Sequence, residues 1–253
     1  MNTPNIVLPV SQDPYCNQLF IEEWVHEFVL WMSTCVHGRV VMFINEELKK
    51  AKVLPREWLT RYSVQGRRFI RSKLYRKYRE YIFQPGTFLT LTYDPKIMGK
   101  AYMWKHLGEH RREFLKELWK HRRRVPYIWV VEEHKSGCPH LHIVFPGTTW
   151  LIHKHLLDHL WRWGMTNVKA TQQGRGINYI LKYVGKVRDD GIMLAMLWKH
   201  RGRMYQTTRI MFGGGIVRQG GWSFQFESVG SWRDTVVWLR SEGYEVEVEG
   251  LSP

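Results

Sequence analysis

The stretch Pro139-His140-Leu141-His142-Ile143-Val144-Phe145, with Glu132 eight residues before its first histidine, decides how the rest of the chain is read. Two histidines at i and i+2 in so apolar a run read as a buried strand. Successive strand side chains alternate faces, so His140 and His142 point one way while Leu141, Ile143 and Phe145 point the other. Two imidazoles side by side on one sheet face begin a metal site. On this spacing alone, two unrelated histidines on a solvent face are an equal reading.

The preceding residues bring a carboxylate to the pair. With Lys135-Ser136-Gly137 as a three-residue hairpin loop and Gly at the left-handed position, His134 pairs with Cys138, and Glu132 then faces His140. A two-residue loop at Ser136-Gly137 would bring Glu133 opposite His140 instead; the three-residue count, and so Glu132, is the preferred reading. Two imidazoles and one carboxylate leave coordination positions open. That suits a hydrated Mg²⁺ or Mn²⁺ acting as a Lewis acid, although ligand type alone also admits zinc.

Outward from this hairpin, Phe88–Tyr93 alternates like a strand and is closed by Asp94-Pro95. Trp104, Leu107, Phe114 and Leu118 mark an amphipathic helix over 101–122, with Arg111 and Arg112 on its outer face. Ile152, Leu156, Leu160 and Trp163 line a further helix with Gly164 as its stop, and Thr166–Ala170 is a short strand. Residues 87–170 therefore run strand, helix, strand, strand, helix, strand. The expected class is α+β: a ferredoxin-like, split β-α-β antiparallel sheet with helices on one face and the other face open for a site.

The flanks divide the chain into a mostly helical basic extension over 1–85, a core over 86–189 and an α+β extension over 190–253. In the first, helix is expected from Leu19 to Leu54, with a strand at Arg39–Ile44, and Pro55 then opens a new helix. Arg67, Arg68, Arg71, Lys73, Arg76, Lys77 and Arg79 follow with no acid between them, over an apolar stripe of Ile70, Leu74 and Tyr78. In the last, Met193–His200 continues as helix, the glycines at 213–215 and 220–221 bracket a flexible piece, and Ser231 with Asp234 caps a helix that ends at Gly243. Tyr244–Glu249 alternates like a strand.

The 253 residues carry a formal charge of +15, which favours a polyanionic partner, and 13 Trp with 12 Tyr lean towards nucleic acid. Three scattered cysteines fit a reducing compartment, and Cys16, His26, Cys35 and His37 lack finger spacing. Acids and Arg39 interrupt the apolar stretch from Leu19 to Ile44, which argues against a membrane span. The expectation is a soluble, cytoplasmic protein.

In Asn178–Lys186, Tyr179 and Tyr183 lie four apart on one helix face, with Lys182 and Lys186 alongside. By itself this is as well read as two core tyrosines rimmed by lysines. Beside a metal site it supplies a nucleophile, because nearby cations favour phenolate.

At this point the residues resemble a known family, the HUH endonucleases, and within them the two-tyrosine rolling-circle replication initiators of small single-stranded DNA phages and plasmids. Phe88–Tyr93, His140-Leu141-His142 and Tyr179-Ile180-Leu181-Lys182-Tyr183 look like its three motifs in order, with Glu132 at the position of the third metal ligand. The resemblance implies a metal-dependent endonuclease and strand transferase that nicks single-stranded origin DNA, forms a 5′-phosphotyrosyl link and rejoins strands. Tyr179 and Tyr183 are the nucleophiles, with Tyr179 preferred for the first attack, and Lys182 positions the phosphate. Arg67, Arg68, Arg71, Arg111, Arg112 and Lys186 are the expected DNA contacts. The implied partners are origin DNA, as a strand or hairpin, and a host helicase with the replication machinery, in the cytoplasm of a prokaryotic host. Competing readings are a transposase-like strand transferase of the same superfamily, against which the second tyrosine argues, and a non-catalytic single-stranded nucleic-acid-binding module.

Overall fold

A computed structural model describes residues 14–172, 175–185, 192–208, 222–225 and 231–251. Its centre is a five-stranded antiparallel sheet in the order β6-β3-β5-β4-β7, formed by β3 (Gly86–Tyr93), β4 (Ile128–Glu133), β5 (Pro139–Pro146), β6 (Gly164–Thr171) and β7 (Tyr205–Thr207). The helix α4 (Lys100–His121) links β3 to β4, with β5 lying between them in the sheet. In the same way α5 (Lys154–Leu160) links β5 to β6 around β3. These are two interlocked split β-α-β units, as the residue pattern predicts.

The sheet is two-sided. Leu141, Ile143 and Phe145 bury completely on the α4 side, where Trp119 packs edge-on against Phe145. The opposite face, expected to be open, is partly covered by α6 (Arg175–Gly185), which packs on β4, β5 and β3. The apolar stripe of α6, Ile177, Ile180, Leu181 and Val184, is almost fully removed from water against that face. Gly176 permits the approach: a Cβ there would stand 3.2 Å from Val144 Cγ1.

The N-terminal segment departs from the sequence expectation. The helix α1 (Pro14–Cys35) stops well short of Leu54, Gly38 turns the chain at φ +69°, and a hairpin follows, β1 (Val40–Asn45) with β2 (Lys50–Pro55). Val40, Val41, Ile44 and Val53 are β-branched and prefer the pleated surface to a helix. Pro55 ends β2 rather than opening a helix. The basic helix α2 (Val64–Lys77) begins after Ser63, whose side chain accepts from the Gly66 amide, and the short α3 (Arg79–Ile82) continues it.

Both flanks join the core. Phe28 and Met32 of α1, Leu74 of α2 and Ala195 with Met196 of α7 (Ile192–Lys199) share one apolar cluster with the sheet. A second sheet, β8-β1-β2-β9, unites the N- and C-terminal segments through β8 (Trp222–Gln225) and β9 (Glu245–Val248). It packs Val40, Ile44 and Val53 against Val236 and Leu239 of α8 (Trp232–Ser241). Ser231 and Asp234 cap α8 reciprocally, and Gly243 follows it at φ +84°, as the sequence signals predict. The glycines at 213–215 and 220–221, and Lys186, lie outside the described residues. Among the described residues no helix is long and apolar enough to cross a membrane.

Gly164 is not a helix stop. The helix before it is capped at Trp161, and Gly164 opens β6, where an added Cβ would lie 2.1 Å from the Thr92 carbonyl oxygen. Because that neighbour is backbone, Gly164→Ala must part β3 from β6, at a cost of about 2 kcal/mol. Its thermal midpoint is expected to fall by roughly 4–8 °C; an unchanged midpoint in a melting experiment would contradict the packing described.

Candidate active site

The β4–β5 turn settles which carboxylate faces the histidines. The His134 amide donates to the Cys138 carbonyl, Gly137 sits at φ +81°, and Glu132 is register partner to His140. Glu133 points to the other side, where it is buried and accepts from the Met193 amide at 3.2 Å. The side-chain period of two makes these two outcomes exclusive.

β3 supplies a second row to the same face. Thr90 pairs in register with His142 and Thr92 with His140. Their hydroxyls lie 3.2 and 3.0 Å from the respective Nδ1 atoms. Each ring is thus held through Nδ1, and His142 Nε2 meets Glu132 Oε2 at 3.2 Å. This is how outer partners orient histidine ligands. The motif Phe88–Tyr93 was legible as a strand, but the role of its threonines was not. The available signal was their i, i+2 spacing, which matches that of the histidines.

The donor set suits a divalent ion. Two ligand atoms about 2.1 Å from one ion and at right angles to each other are separated by about 3.0 Å, close to the Glu132–His142 distance. His140 stands beside them, its ring centre 4.6 Å from that of His142. Burial first, then the neighbouring imidazoles, push its pKa down to about 4, so it is neutral, the form that ligates. Among the described residues no group of three His, Cys, Asp or Glu is already gathered closely enough to hold an ion.

The tyrosines of α6 reach this face. Tyr183 has its ring centre 4.7 Å from that of His142, and Tyr179 lies at 6.0 Å, edge-on to Phe88. The Tyr183 hydroxyl donates to the Tyr179 oxygen at 2.5 Å. Burial, that hydrogen bond and the nearby Glu132 carboxylate together hold the Tyr183 pKa well above the ordinary phenol value. Tyr183 therefore keeps its proton, and Tyr179 is the more exposed of the two. Lys182 is exposed on the same helix.

The basic residues divide. Arg68 and Arg71 are exposed on α2, which packs against α6; the Arg71 side chain lies so close to Gly185 that a Cβ there would be 2.7 Å from it. Arg112 is exposed on α4, across the sheet. Arg67 and Arg111 are buried, the first donating to the Tyr62 carbonyl at 2.8 Å and the second lying over Trp129. Neither stands on the surface beside the tyrosines, because a run of charges in sequence does not say which members face the core.

Two histidines couple this architecture to pH. Burial pushes His110, stacked on Trp163, and His140 down to about 4. Below about 6.5 the unfolded chain takes up protons that the folded chain refuses, so stability falls as pH drops from about 6.5 towards 4. In chelator, urea unfolding is expected to lose at least about 1 kcal/mol between pH 6.5 and 5, and His110→Gln to reduce that slope. A flat profile would contradict the burial.

No curated protein and no solved structure matches the chain. Residues 86–188 do match a family model, that of the replication-associated protein ORF2, and the matched span contains Glu132, both histidines and both tyrosines. That match identifies residues 86–188 as a segment of this replication-associated protein family, a rolling-circle replication family.

Proposed function

We propose that the chain initiates rolling-circle replication by nicking single-stranded origin DNA with a tyrosine and later rejoining the strand. The observation that carries this reading is the pair of phenol oxygens 2.5 Å apart, beside His142 and Glu132, within the matched segment. Tyr179 makes the first attack. Its oxygen bonds to the phosphorus while the phosphorus–O3′ bond breaks, leaving the 5′-phosphate on Tyr179 and a 3′ oxygen that takes a proton to become a free hydroxyl. Tyr183, still protonated, stabilises the developing Tyr179 phenolate by donating to it. Once extension regenerates the junction, Tyr183 attacks it in turn and the freed 3′ end closes the circle onto the first phosphotyrosine.

Glu132, His140 and His142 would hold Mg²⁺ or Mn²⁺, which when bound polarises the phosphoryl oxygen as a Lewis acid. Lys182 offers positive charge to the phosphate. Arg68 and Arg71 extend a cationic strip along the helix that packs on α6, and each phosphate contact removed should lower the salt slope of binding by about one. Unwinding of the duplex falls to a host helicase.

The test is to incubate the full chain with labelled strands of the cognate origin and Mn²⁺, and to look for an adduct that survives denaturant. Tyr179→Phe is expected to reduce the adduct below about one-hundredth of wild type. Tyr183→Phe should form it but fail to release circles. His140→Ala should abolish cleavage with binding retained. Adduct formation by the double Tyr179→Phe, Tyr183→Phe variant would refute the assignment.

A further inference from the structure

On the face of the sheet opposite the tyrosines, a cleft of about 980 Å³ opens between α4 and the connection from α7 to β7. Seven Lys and Arg side chains line it against a single carboxylate, Glu109, which is already engaged by His106 at 3.0 Å. Trp119 and Tyr127 stand in its wall, half-buried. A cleft this size would accept a molecule of nucleotide dimensions.

Its floor is chemically unusual. Arg111 is 9% exposed, and its Nε has no hydrogen-bond partner. Trp129, 2% exposed, has an unpartnered Nε1, and so does His200 at Nε2. All three residues line this cleft. Among the described residues no carboxylate pairs with Arg111. Its guanidinium lies 4.0 Å from the Trp129 ring centre, and burial together with Arg203 and Arg112 pulls its pKa down to about 10 without neutralising it. A buried, unpaired cation costs several kcal/mol, and a cation–π contact returns only about 2 of them. Three buried donors converging without acceptors, beneath a cationic rim, describe a site for an oxyanion.

We propose that this cleft is a second phosphate site, separate from the tyrosine face, which binds the phosphate of a nucleotide with Arg111 at its floor, Lys105 and Arg203 at its mouth, and the base against Trp119 or Tyr127. The nucleotide comes either from the free pool or from a single strand passing behind the sheet.

The experiment titrates the full chain, in chelator so that no strand is cut, with inorganic phosphate, a deoxynucleoside triphosphate and a short oligothymidylate, following tryptophan fluorescence and the thermal midpoint. Arg111→Met and the surface pair Lys105→Gln, Arg203→Gln are each expected to weaken binding of at least one probe tenfold or more. Arg111→Met should also melt at or above the wild-type temperature, because a buried charge has been removed. Triphosphate binding lost in the variants assigns the site to free nucleotides; oligonucleotide binding alone lost assigns it to a strand, and both support the proposal. Binding of none of the probes, binding unchanged in both variants, or a lowered Arg111→Met midpoint with unchanged binding would overturn it. Because the readout is binding rather than cleavage, the result stands apart from the tyrosine assignment.

Discussion

The pairing of Glu132 with His140 across the β4–β5 hairpin is the constraint on which the site depends. In a strand of period two, a slip of one residue would exchange Glu132 for Glu133 and turn the carboxylate from the histidine face to the α7 side. A three-residue turn with Gly137 in the left-handed conformation prevents that slip. β3 then supplies Thr90 and Thr92 in matching alternation, so one strand presents the histidines, a second the carboxylate, and a third holds the rings by hydroxyls. The chemistry sits on the sheet, where the backbone is least free to drift.

The helix α6 converts this face from a candidate ion site into a candidate reaction centre. Its placement is a hydrophobic matter: four buried aliphatic residues seat it on β4 and β5, and the tyrosines one turn apart follow at the edge of that stripe. Electrostatics then separates two chemically identical phenols. The one nearer Glu132, in the more buried position, keeps its proton and becomes a hydrogen-bond donor to the other. The chain's excess positive charge is distributed unevenly around this centre, along α2 beside the tyrosines and in the cleft behind the sheet.

What was legible in the sequence was what has a short period or a fixed turn chemistry. The alternation of Phe88–Tyr93 and His140–Phe145, the Gly137 turn and the Ser231–Asp234 cap each report a local rule, and each element stands where that rule puts it. The β1–β2 hairpin was not legible, because the apolar run before Leu54 fits helix and strand periods alike until its partners in β8 and β9 are known. Gly164 reads as a helix stop locally and serves a close strand approach tertiarily. Arg67 and Arg111 looked like their exposed neighbours because burial of a long cationic side chain depends on which helix face the fold turns inward. The threonines behind the histidines were invisible for a related reason: their role exists only across strands.

The most direct measurement of the central claim is Mn²⁺ binding followed by electron paramagnetic resonance on the wild type and on two isosteric variants that keep the fold. The register predicts that the wild type and Glu133→Gln bind the ion while Glu132→Gln has lost it or binds at least tenfold more weakly. Retention of wild-type affinity by Glu132→Gln, with loss in Glu133→Gln, would contradict the account.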